Sequence, residues 1–134
     1  MKKLFAFLVC FVVVLVGCNA EKQFPEEHQA YLSTYGWEIA EQKSSETKKI
    51  NLYPEAIDMI KRAGLDLEPY KGKEATITTY RLKEKQATGD EMYAVLYEIN
   101  DKLIGGYGSL ENWAPGLFAL DDKERLIDDD VLKP

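Results

Sequence analysis

Between residues 24 and 108, apolar side chains recur at two spacings, and the changes of spacing mark out the elements. Phe24-Pro25-Glu26-Glu27 has the character of a helix start: proline suits the first turn, and the two acids suit the positive end of the helix dipole. Tyr31, Leu32 and Tyr35 follow at helical spacing, with Phe24 and His28 extending the stripe. Gly36 stops the helix, and in a Schellman stop Trp37 folds back onto Leu32. A second helix uses the same grammar. Pro54 and Glu55 open it, Ala56, Ile57, Ile60 and Ala63 form its inner face, Gly64 ends it, and Leu65 returns to Ile60.

Between the helices, Trp37-Glu38-Ile39 begins an extended stretch. Residues 41–49 are polar and charged and predict a surface loop, while residues 49–53 predict a short strand with Ile50 and Leu52 on one face. Residues 66–73 form a turn region around Pro69 and Gly72. Residues 75–82, rich in Thr, Ile and Tyr, predict a strand, and residues 83–90 a charged connection. Residues 92–99 are apolar on both parities: Tyr93, Val95, Tyr97 and Ile99 point one way and Met92, Ala94 and Leu96 the other, as in a central strand covered on both sides. Asn100-Asp101 is a two-residue hairpin turn, and residues 102–108 return with Tyr97 opposite Ile104 and Val95 opposite Gly106. Gly105, Gly106 and Gly108 leave room for a helix or for an aromatic ring from a neighbouring strand. Residues 109–120 are apolar but irregular, and residues 121–134 are a charged, partly mobile tail. The expected fold is α+β, two helices packed in a second layer on one antiparallel sheet of three to five strands, with the hairpin near its centre.

Ahead of this domain lies an apolar run over residues 4–17, behind Lys2 and Lys3 and ended abruptly by Asn19, Ala20, Glu21 and Lys22. It is short for a membrane span, which needs about 20 apolar residues, and fits the apolar region of a signal peptide. Leu15-Val16-Gly17-Cys18 at its end resembles the lipobox of bacterial lipoproteins. That resemblance implies that Cys18 becomes the mature N-terminus and carries a diacylglycerol thioether. At roughly 0.8 kcal/mol per buried methylene, two or three acyl chains hold a protein durably at a membrane. The organisation is then a signal peptide over residues 1–17, lipidated Cys18 and a short tether to residue 25, one domain over 26–120, and an acidic tail over 121–134.

The 17 basic side chains fall to 15 once Lys2 and Lys3 leave with the signal, against 23 acidic ones, so the mature part carries a side-chain balance of −8. That charge disfavours nucleic acid and is repelled by an anionic bilayer. Of the two cysteines, Cys10 leaves with the signal and Cys18 is consumed by lipid. The domain therefore stands without disulfide or thiolate metal site.

Catalytic chemistry is sparse. His28 is the single histidine, no serine sits in a nucleophile motif, and the acids at 121–122 and 128–130 lack calcium-loop spacing. No catalytic residue, cofactor site or metal ligand is assigned. A pair of carboxylates needs no motif, so the alternative to a binding domain is a small carboxylate-dependent enzyme acting on wall or glycan substrates. The aromatic residues are the remaining clue: Trp37, Tyr107 and Trp113 form the candidate contact surface for a cell-surface protein or glycan.

Tyr35-Gly36-Trp37-Glu38, a helix from Pro54, Gly64-Leu65-Asp66-Leu67, Tyr70-Lys71-Gly72-Lys73, a Thr-Tyr strand and a hairpin with Ile104-Gly105-Gly106 follow one another in an order that resembles the bacterial domain of unknown function (DUF) 4830 family. The likeness covers roughly residues 27–120. It implies a secreted or lipid-anchored protein of Gram-positive type, and it implies no activity and carries over no functional residue.

Overall fold

A computed structural model describes residues 24–114 and 116–133, so the signal peptide and Cys18 lie outside the described residues. The chain runs α1 (Glu26–Thr34), β1 (Ile39–Lys49), α2 (Pro54–Arg62), a 3-10 turn (Glu68–Tyr70), β2 (Glu74–Lys85), β3 (Glu91–Ile99), β4 (Lys102–Leu110), β5 (Leu117–Phe118) and α3 (Lys123–Asp128). The five strands form one antiparallel sheet in sequence order, with β3 at its centre. The class is α+β.

Both helix stops form as the spacing predicts. Gly36 and Gly64 adopt φ of 86° and 103°, and the following residues, Trp37 and Leu65, donate backward to Leu32 O and Ile60 O at 3.0 and 3.1 Å. These bonds satisfy carbonyls the helix leaves open. Asn100 and Asp101 take φ of 52° and 62°, the left-handed pair that a two-residue turn needs to match strand twist.

The strand parity of β3 divides the core. Met92, Ala94 and Leu96 pack with Tyr80, Leu82, Leu32, Trp37 and Phe118 on one face, while Tyr97, with Val95 and Tyr107, packs with Ile60, Leu65, Leu67 and Ile77 on the other. The two main helices therefore cover opposite faces, and the two-layer expectation is corrected to a sheet enclosed from both sides. The room at the glycines is used as expected: a β-carbon on Gly108 would overlap the Phe118 ring from β5.

Four local expectations are corrected. Residues 41–49 are strand, not loop. They form an edge whose side chains are mostly exposed on both faces, so no alternation marks them in the sequence. Ile50 lies after the strand, tied by Ile50 N to Lys73 O and Gly72 N to Ile50 O (both 2.9 Å). The β3–β4 register slips by one because a bulge leaves Ile104 unpaired, placing Tyr97 opposite Gly105 and Val95 opposite Tyr107. Residues 121–133 are no tail: Leu126 and Leu132 are buried in the α1-side core, Leu132 bridges Gln86, and Lys123 Nζ sits 4.9 Å over the Trp37 ring. No helix of the described residues is long and apolar enough to cross a membrane.

Candidate functional site

The three aromatic residues singled out in the sequence do not share a surface. Trp37 is 1 % exposed. Its indole donates to Leu120 O at 2.8 Å and packs 5.6 Å from the Phe118 ring, so it is withdrawn as a contact residue. The return after Gly36 carries it inward. Tyr107 is half-buried on the α2 side, 6.3 Å from Tyr97 between ring centroids. Burial, with the neighbouring Tyr97 phenol, pushes its hydroxyl well above the usual phenol range. It is core rather than display. Trp113 is 53 % exposed.

The exposed indole is nonetheless fixed. Trp113 Nε1 donates to Gln86 Oε1 at 2.9 Å, and Gln86 is 2 % exposed. Gln86 Nε2 in turn donates to Glu91 O at 3.0 Å and Glu111 O at 2.9 Å. A buried amide is costly unless its donors and acceptor are used. Here all are used, and one holds a solvent-facing ring.

Two loops meet at this end of the sheet. Asn112, at φ 66°, donates from Nδ2 to Asp90 Oδ1 at 3.1 Å. Thr88 Oγ1 donates to Asp90 Oδ2 at 2.9 Å, and Glu91 N donates to Glu111 Oε1 at 2.9 Å. Neither Asp90 nor Glu111 has a cationic side chain within 4.0 Å among the described residues. Two nearby cations are engaged elsewhere: Lys85 and Arg81 both bind Glu91, and Arg81 also binds Glu41. Those cations hold the Glu91 carboxyl below its ordinary range, with the Lys85 bond as the largest cause.

A second polar cluster lies inside the α1-side core. His28 is 3 % exposed, with Nδ1 2.6 Å from Tyr80 Oη and Nε2 3.0 Å from Glu98 Oε1. The Nε2 contact is close but poorly directed as a hydrogen bond. Burial first, then the Glu98 charge, pushes the Tyr80 phenol up to about 12. Such a phenol is a poor nucleophile near neutrality, and the His28–Tyr80 hydrogen bond ties α1 to the sheet. The apolar stripe on which the sequence places His28 faces the core, while its polar neighbours Tyr80 and Glu98 lie far along the chain. The signal available was its position one turn before Leu32 on the apolar stripe.

Two open depressions flank α1. One, of about 560 Å³, includes Glu26, Ser33, Glu38 and Lys83 in its lining. The other, of about 740 Å³ beside the hairpin turn, includes Glu27, Tyr70, Lys73, Asp101 and Lys102. Among the described residues no three His, Cys, Asp or Glu side chains converge as a metal site.

A family model described as a domain of unknown function (DUF4830) matches residues 31–107, more than half of the chain. No curated protein and no solved structure shows significant similarity to it.

Proposed function

From the premise that the chain belongs to the DUF4830 family, we propose that it is an extracytoplasmic lipoprotein, anchored to the cell membrane through Cys18, whose domain is a non-catalytic binding module contacting its partner through Trp113. The observation that carries the binding role is a half-exposed indole held rigid by a buried glutamine. A ring fixed in advance loses less entropy when a partner covers it. The anchor rests on the apolar run and the Leu15–Cys18 motif. From Cys18 to Phe24 the extended chain reaches about 20 Å, so the domain works close to the bilayer, and its negative charge keeps it from lying flat on anionic lipid.

Each half has its own test. Wild-type protein partitions into the detergent phase and incorporates labelled palmitate, and Cys18→Ala does neither; a Cys18→Ala protein that still carries lipid overturns the anchor. A photo-crosslinking residue at position 113 in living cells yields a discrete adduct that the same residue at exposed Tyr53 does not. Absence of any adduct at 113 overturns the contact role.

A second reading has one observation in its favour. Glu27 and Asp101 line the same depression, as a carboxylate-dependent enzyme acting on wall or glycan substrates requires. Hydrolysis of labelled wall material that is lost in both Glu27→Gln and Asp101→Asn supports it, and no hydrolysis by the wild-type protein ends it.

A further inference from the structure

We infer that the Trp113 surface receives a basic segment of another extracytoplasmic protein, seating a lysine or arginine cation over the indole between Asp90 and Glu111. This rests on the contact role proposed for Trp113 and names the chemistry of its partner.

Three features of the site select a cation. The first is the ring. Its N–H is consumed by Gln86, so what remains for a ligand is the electron-rich face, which attracts cations by about 0.5–2 kcal/mol depending on desolvation. The second is uncompensated charge. Asp90 is bonded to Asn112, the residue before Trp113, and Glu111 stands two residues before the ring in the same loop; neither meets a cation within 4.0 Å among the described residues, whereas Glu91 beside them is doubly neutralised. The third is the state of the hydrogen-bonding groups. Both Asp90 oxygens, both Gln86 amide nitrogen donations and its oxygen, and the indole N–H already have partners. Few directional groups are left to read the hydroxyls of a sugar. A carboxylate that accepts neutral hydrogen bonds keeps its net charge and still attracts a cation. An apolar partner fits less well, because Trp113 and Tyr53 are the only strongly exposed large hydrophobic side chains among the described residues. The net negative balance of the mature chain adds long-range attraction for a basic partner.

The test uses the full chain without its signal peptide and monitors the fluorescence of Trp113, obtained by subtracting the emission of a Trp113→Phe variant, which leaves only buried Trp37. The probes are acetylated, amidated trilysine, choline and chitotetraose. Trilysine is expected to give a saturable change that weakens at least tenfold between 50 and 300 mM salt. Glu111→Gln keeps an oxygen acceptor for Glu91 N, and Asp90→Asn keeps one for Asn112 while its amide nitrogen turns to donate to Thr88 Oγ1; each removes one charge and is expected to weaken trilysine several-fold while the variant still unfolds in a single cooperative transition. Three results overturn the inference: no saturable response to trilysine, an affinity unchanged in both amide variants, or a response to choline or chitotetraose with none to trilysine. If chitotetraose alone binds, the basic-partner inference falls while the Trp113 contact role stands. If no probe binds and the crosslinker at position 113 finds nothing, both fall.

Discussion

At the scale of single residues, two positions make sharp demands. Gly108 has no space for a side chain because the Phe118 ring lies on its α-carbon. Gly108→Ala is expected to destabilise by about 1–3 kcal/mol, the usual cost of overpacking, read as a lower urea midpoint. Pairing it with Phe118→Leu should return part of that loss, and a strictly additive double variant would show that the ring is not the obstacle. Tyr80 makes a demand on pH. Its phenol titrates near 10 when unfolded and at about 12 when folded. The folded state therefore holds the proton longer, and this stabilisation is complete below pH 10 and lost as the pH rises from 10 through 12. The melting temperature of the wild type should fall over that window more steeply than that of Tyr80→Phe. Equal slopes would assign the alkaline loss to other buried phenols.

At the scale of elements, α3 and β1 show opposite failures of sequence signal. The segment containing α3 is charged along most of its length, yet two leucines spaced by six residues, Leu126 and Leu132, seat it in the core. Leu126→Ala is expected to cost about 2–4 kcal/mol, measured by chemical denaturation, where a mobile tail would give no change. In β1 the apolar signal is absent because only Ile39 of its residues joins the core. Its stability comes from the ladder to β2 and from hydroxyl pairs such as Ser45–Thr78 and Thr47–Thr76, 3.2 and 2.9 Å apart. The charges on this edge also guard it against pairing with other strands.

For the whole molecule, the consequence of covering both sheet faces is cooperativity. β2 and β3 contribute to both clusters, so neither face has a strand layer of its own. Leu126→Ala on one side and Ile60→Ala on the other should each shift a single unfolding transition observed alike by circular dichroism and by tryptophan emission. Two separated transitions would mean that the faces fold as independent units. The same geometry sorts the aromatic residues. Trp37 and Tyr107 are spent on opposite cores, and Trp113, at the sheet end where the β2–β3 and β4–β5 loops meet, is left to face solvent.

The features that sequence determined by itself are those whose cause is local. The glycines after α1 and α2, the proline that opens α2 and the Asn100-Asp101 turn each impose a backbone geometry on their own few residues and formed as read, while Pro25 stands just ahead of α1 rather than in its first turn. The both-parity run at 92–99 likewise announced a central strand, because side-chain alternation belongs to the strand itself. Tertiary structure decided whatever depended on a partner distant in the chain: that residues 41–49 pair with β2, that Leu126 and Leu132 close the core, that His28 finds Tyr80 and Glu98, and that Gln86 turns inward to hold Trp113. A polar side chain carries no mark in the sequence of whether water or a remote hydrogen-bond partner will satisfy it, and only the folded chain supplies the answer.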